Sequence, residues 1–395
     1  MTSGKSRLLF TNAHIFCPND DYAPGWLMTE GARIKLIGPG AAPTFPDGFI
    51  THTIDATGCN LLPGFIDLHV HGACGHEVMD ASPDGLQTMA RFYAQHGVAS
   101  FHPTTWTASK EDTARALDVV TELTGRVPRG ATILGAHMEG PYLGGKSGAQ
   151  APQHIRRADL NEVREFLDHN HVKLVALAPE YPENLGLIDE CVRRGITVSA
   201  AHTNATYEQM LVAVAHGLRQ ATHTYNAMVG LSHREPGTVG AIMTSDQIRA
   251  ELIADNVHVH PAAMKILVKV KGPDKVILVT DAIRGTGMPD GEYPIDQRTI
   301  TVRDGTARLP DGTLAGSILT MDRALRNIIA ATGLSLREAW PMTSRNAAQS
   351  IGVAQTKGTL EVNKDADLVL LDANLNLIMT VVEGEITHDA TMAVG

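Results

Sequence analysis

Runs rich in aliphatic and β-branched residues alternate with helical stretches along the middle of the chain, and this alternation restricts the fold more than any other feature. The runs cover residues 61–71, 98–104, 132–140, 173–179, 196–202, 220–226, 249–257 and 275–281. Residues 83–96, 110–123, 160–169, 185–194, 207–215 and 261–270 carry helical periodicity, and two further helices, 319–331 and 336–350, follow the last run. Parallel strands need a long crossover to return to the same edge of a sheet, and a helix is the usual one. Repeated alternation therefore predicts an α/β chain with a parallel (β/α)8 TIM-like barrel, with a doubly wound open sheet as the alternative.

The two ends read differently. Short β-rich pieces at 8–16, 26–28, 34–37 and 51–55 lie between turn residues, and 358–362, 367–371 and 378–382 repeat that pattern. Neither end holds enough strand for its own core. We expect one small β-sandwich domain from residues 1–60 plus 357–395, and a metal-dependent barrel over 61–356. A β-hairpin insertion is expected near 285–316, with 299–302 paired to 306–309 across Asp304-Gly305.

The formal net charge of −10 argues against general nucleic-acid binding, because phosphate backbones reward clustered Lys and Arg. An acidic chain that binds a small anion must build a local positive pocket. Cys17, Cys59, Cys74 and Cys191 show no CxxC spacing, so a reducing cytoplasm is the expected setting. No apolar run approaches the roughly 20 residues of a membrane helix, and no signal-peptide core is present, so a soluble protein without a membrane partner is expected.

The chemically useful residues fall at the ends of predicted strands, the face that carries active sites in barrels. His69 and His71 close the first strand, Glu139 the third, His202 the fifth, His223 the sixth and Asp281 the eighth. Side chains alternate along a strand with period two, so both imidazoles of His69-Val70-His71 point to one side and can share a metal. Nitrogen-rich ligands with one carboxylate suit zinc or another borderline divalent ion rather than calcium or magnesium. Asp281 is the natural general acid/base beside such a metal, although a helix N-cap would also explain an aspartate there. His137 faces the same side as Glu139 but deeper, and reads as packing; Asp67 reads as a hydrogen-bonding support beneath His69.

Pro63-Gly64-Phe65-Ile66-Asp67-Leu68-His69-Val70-His71-Gly72 resembles the first-strand signature of the amidohydrolase superfamily. His137-Met138-Glu139-Gly140-Pro141, the segment Ser199 to Ala205, Thr222 to Met228, Arg234-Glu235-Pro236-Gly237, Ile253 to His258, Thr280-Asp281-Ala282 and Leu314-Ala315-Gly316-Ser317 are similar to the N-acetylglucosamine-6-phosphate deacetylase family in particular. The matches run in order through Lys364-Asp365-Ala366-Asp367-Leu368.

The resemblance implies a barrel with a β-sandwich, a homodimer, and hydrolysis of the acetamide of a phosphorylated amino sugar to the free amine and acetate. It assigns metal ligation to Glu139, His202 and His223 and catalysis to Asp281. Because His69 and His71 are present, it implies one or two divalent metals per subunit, with zinc first and iron, manganese or cobalt compatible. Phosphate recognition maps onto His258, Asn226, the backbone at Ala227, and Arg234 reaching the neighbouring subunit's site. Many members carry a histidine in the loop after the third strand that contacts the acetamide. This chain has Gln150 there, whose amide can donate to a carbonyl but carries no charge. A plain surface-loop role for Gln150 is the other reading. The alternatives for the whole chain are the galactosamine epimer as substrate, a cyclic-amide hydrolase or nucleobase deaminase, or a non-catalytic barrel that serves as a binding module.

Overall fold

Eight parallel strands form the barrel, in order Phe65–Val70, Val98–Thr105, Ala136–Glu139, Val172–Leu177, Thr197–Ala200, Gln220–Ala221, Arg249–Ile253 and Val276–Val279. The structure is a computed structural model and describes residues 6–391. The first and last strands are joined just past their ends, where Val70 bridges Ala282 and the amides of His71 and Gly72 donate to Ala282 O at 2.7 and 2.9 Å. Almost every barrel-strand residue is buried, as expected of parallel strands covered on both faces.

The helices pack outside. In Pro83–Ala94 the Ser82 hydroxyl caps the Gly85 amide and Leu86, Met89, Ala90 and Tyr93 form one buried face. Tyr93 then donates its hydroxyl to Gly72 O at 2.9 Å, tying this helix to the turn that follows the first strand. Among the described residues, no helix is long and apolar enough to cross a membrane.

Strands from both ends of the chain make a separate eight-stranded sheet with its own core, which includes Phe10, Ile15, Leu27, Leu61 and Leu368. Leu8–Phe16 is its hub: its first half pairs with His52–Asp55 and its second with Asn60–Pro63, while Leu368–Leu371 lies antiparallel to Asn60–Pro63. Lys357 is buried here between Asp365 and Asp367, at 2.9 and 2.8 Å.

Several elements differ from the sequence reading. The run 61–71 is two strands in two sheets, divided at Gly64, where a Cβ would stand 2.4 Å from the Ala99 Cβ. The run 132–140 is likewise split, at Gly135 (φ 115°), where the chain passes too close to His171 O for a side chain. Residues 336–350 are not one helix: Pro341 lacks an amide donor and Ser344 leaves helical geometry, so a short 3-10 turn separates Leu336–Ala339 from Arg345–Ser350. The piece at 358–362 is not a strand, being bounded by left-handed Gly358 and Asn363. A helix at Gly237–Thr244 and strands at Gly291–Ile295 and Glu385–Asp389 were not expected. The insertion is thus three-stranded, with Arg298–Arg303 central, and its predicted hairpin across Asp304-Gly305 is present.

Candidate metal centre

Three of the key side chains share one backbone device. His202, His223 and Asp281 each stand two residues past the last residue of a strand, and each has a positive φ, of 44°, 30° and 52°. That left-handed turn is unfavourable for residues with a Cβ and is a feature of functional sites. The bend is held locally: Asp281 N donates to His69 O at 2.9 Å and Ser317 N donates to Asp281 O at 2.7 Å. His223 N donates to Glu251 Oε2 at 3.3 Å.

These turns, with the first and third strands, gather two buried ligand groups around one carboxylate. His69, His71 and Glu139 form the first, and Glu139, His202 and His223 the second, with the offered atoms of each within 4.8 Å of one another. Glu139 divides its oxygens between them. Oε1 is 3.2 Å from Nε2 of both His202 and His223. Oε2 is 3.3 Å from His71 Nε2 and 3.6 Å from His69 Nε2. Asp281 Oδ1 joins the first group, 3.3 Å from His71 Nε2 and 3.5 Å from His69 Nε2.

The far ring nitrogens fix the tautomers. His71 Nδ1 faces Thr104 O at 3.1 Å and His202 Nδ1 faces Lys146 O at 3.0 Å. Carbonyl oxygens only accept, so Nδ1 carries the proton in both rings and Nε2 presents a lone pair. His69 Nδ1 donates in the same way to Glu251 Oε2 at 3.2 Å. Yet His69 and His71 bring their Nε2 atoms to 3.1 Å, and so do His202 and His223. In His69 and His71 Nδ1 carries the proton, so facing lone pairs at that distance repel unless a proton or a metal ion lies between them. His223 Nδ1 has no partner among the described residues to fix its tautomer. The donor set, its burial and this pairing fit a divalent metal, with outer partners of the kind that orient ligating imidazoles.

The charges agree. Burial pushes the Glu139 and Asp281 carboxyls upward, but the surrounding imidazoles more than offset it and leave both below their usual range. Burial lowers His69 and His71, and the facing Glu139 and Asp281 carboxylates reverse that and raise both above the ordinary histidine value. A metal held by these side chains would have to displace protons, so its uptake is expected to strengthen as pH rises.

Beneath the centre, Asp67 accepts from Thr280 Oγ1 at 2.6 Å, Thr280 N at 3.2 Å and His69 N at 3.3 Å, tying the first and eighth strands together. Burial pushes its carboxyl up to about 7. His137 packs against His69 with Nδ1 on Leu68 O at 3.1 Å, and burial holds it well below the ordinary histidine value.

A cavity of about 530 Å3 opens over the centre, a size typical of small-ligand sites. Glu139, His71, His202, His223, Asp281, Gln150, Asn226, Ala227 and His258 all line it. His258 is lowered by burial, but its bond to Asp255 Oδ2 at 2.7 Å raises it overall. Two residues on, His260 caps the helix Pro261–Lys271, accepting from Ala262 N at 3.1 Å. Arg234 does not join the cavity; it is exposed on a groove formed with Asn204, Tyr207 and Glu235. Gln150 is buried rather than a surface residue.

Sequence reasoning missed several residues. Glu251 was readable only as a lone acid in an aliphatic strand. Trp106 stacks on His71 with ring centroids 4.0 Å apart, and Lys146 and Arg308 add positive charge to the cavity lining. Nothing in their sequence surroundings marks them.

The amidohydrolase family matches residues 60–387. An N-acetylglucosamine-6-phosphate deacetylase from Lysinibacillus sphaericus is 39% identical, covering 84% of this chain and 87% of that protein. An N-acetylgalactosamine-6-phosphate deacetylase from Escherichia coli O157:H7 is 37% identical, covering 82% of this chain and 87% of that protein. A solved variant of N-acetyl-D-glucosamine-6-phosphate deacetylase from Mycobacterium smegmatis, in complex with N-acetyl-D-glucosamine-6-phosphate, superposes with a TM-score of 0.90 at 32% identity, covering 97% of this chain and 99% of that one. With these matches spanning both the barrel and the terminal sheet, the chain belongs to the amidohydrolase family.

Proposed function

We propose that the chain hydrolyses the acetamide of N-acetylglucosamine 6-phosphate to glucosamine 6-phosphate and acetate. The observation that carries this reading is the Asp281 carboxylate standing beside the two ligand groups in a cavity that also holds His258. The relatives at 37–39% identity act on acetylated amino-sugar phosphates by name.

Glu139, His202 and His223 hold one metal position, and His69 and His71 with Glu139 hold a second. Zinc is the first choice for both; iron, manganese and cobalt fit the same donors. A metal bound by these residues would supply Lewis-acid chemistry toward water and the amide carbonyl. Asp281, ionised at neutral pH, takes the proton of the attacking water and hands it to the departing amine. Gln150 offers an amide N–H to the acetyl carbonyl, and His258, Asn226 and the Ala227 backbone bind the phosphate end. Arg234 completes the phosphate site of the neighbouring subunit in a homodimer, a role consistent with its exposure outside its own cavity. In this reading the small β-domain is built from the two terminal segments, the first running through Pro63 rather than ending at residue 60, and the catalytic barrel begins at Phe65. The four unpaired cysteines fit a reducing, cytoplasmic setting.

The galactosamine epimer is the second reading, favoured by the Escherichia coli relative. Steady-state rates on both epimeric 6-phosphates and on unphosphorylated N-acetylglucosamine test the assignment. The glucosamine 6-phosphate is expected to have the highest kcat/KM. Loss of a phosphate held by charged groups is expected to lower it by roughly 10²-fold or more, at about 1.5–3 kcal/mol per charge-assisted hydrogen bond. Equal rates with and without phosphate would reject the assignment.

A further inference from the structure

Gln150 occupies a position where its amide cannot choose its orientation. The backbone N–H of Thr107 is a donor only, and it meets Gln150 Oε1 at 2.8 Å. Nε2 is therefore turned to the other side, where it donates to Glu139 Oε2 at 2.6 Å. Thr107 follows the second barrel strand and Gln150 lies in the loop after the third, so this amide staples two loops onto one carboxylate oxygen.

The oxygen it holds belongs to one ligand group and not the other. Oε2 faces His71 and His69, whereas Oε1 faces His202 and His223. Two imidazoles hold Oε1 at 3.2 Å whatever Gln150 does. Without the amide, Oε2 keeps only the longer contacts to the first-strand histidines, and the carboxylate is free to turn both oxygens toward His202 and His223. Outer-partner hydrogen bonds of this kind typically change metal affinity by about 10–100-fold.

We propose that Gln150 is a positioning residue that holds Glu139 in its shared orientation and thereby sets the affinity of the His69–His71 metal position. It leaves the His202–His223 position largely unaffected. The N–H assigned to substrate above is the other hydrogen of the same amide, so both roles are compatible. The inference rests on the two-metal reading.

Zinc titration of the metal-free full-length protein against a competing chelator, with metal counted by mass spectrometry, tests it in the wild type, Gln150→Leu and Gln150→Met. The wild type is expected to take up two equivalents. Both variants are expected to bind the first equivalent as the wild type does and the second roughly 10–100-fold more weakly. Melting of the metal-free proteins shows whether each variant is folded, and Gln150→Met keeps the unbranched shape if Gln150→Leu is not. Unchanged affinity for both equivalents, equal weakening of both, or uptake of one equivalent by the wild type would overturn the inference. A wild type that binds no zinc would instead overturn the metal reading beneath it.

Discussion

Asp281→Asn is expected to lower kcat by roughly 10²–10⁴-fold, the contribution of a well-placed general acid/base, with little change in melting temperature. Asparagine preserves the volume and the left-handed turn, which tolerates Asn and Asp better than other residues. It leaves the backbone bonds to His69 and Ser317 intact. What it removes is an ionised oxygen that can take a proton from water and return it to an amine. Asp281 contacts His69 and His71 but is not one of the Glu139, His202 and His223 group. Metal at that group should therefore persist, and loss of rate should exceed loss of metal. Pre-steady-state acetate release and metal counts on the same preparation separate the two. Near-normal turnover would remove Asp281 from the proton path.

Glu139→Gln is expected to cost more, because one carboxylate serves both ligand groups. The substitution removes the charge that offsets four buried imidazoles facing one another in pairs at 3.1 Å. Loss of an outer partner already costs about 10–100-fold in metal affinity, so loss of a shared ligand should weaken both positions by about 10²-fold or more. Zinc content after dialysis should fall at both positions together, and activity should fall to background. Retention of one full equivalent would show that Glu139 is not shared. By contrast, His71→Ala should leave the His202–His223 position filled.

The barrel was legible because strand and helix alternate with little interruption, and the His69-Val70-His71 pair because period two puts both rings on one side. Strand-end placement also located Glu139, His202, His223 and Asp281. Hydropathy could not show where one aliphatic run changes sheets: 61–71 reads as continuous, and only the close approach of Ala99 at Gly64 divides it. The helix Gly237–Thr244 was hidden by Gly237 and Gly240, which weaken any helical pattern. The left-handed turns beneath three site residues have no sequence signature when the residue is not glycine. The partners of the imidazoles were equally hidden, since two of them are backbone carbonyls, of Thr104 and Lys146, and any residue could supply one. In the sequence Gln150 stands out only as a departure from a histidine, and its bond to Glu139 forms only once the loop after the third strand folds onto Thr107.

Metal-dependent hydrolysis is tested most directly by acetate and free-amine release from N-acetylglucosamine 6-phosphate by protein stripped of metal and then reloaded with zinc. No turnover is expected in the stripped protein, and one acetate per amine is expected once zinc is restored at the Glu139, His202 and His223 position. Equal turnover by stripped and reloaded protein, or no acetate release from the fully reloaded protein, would contradict it.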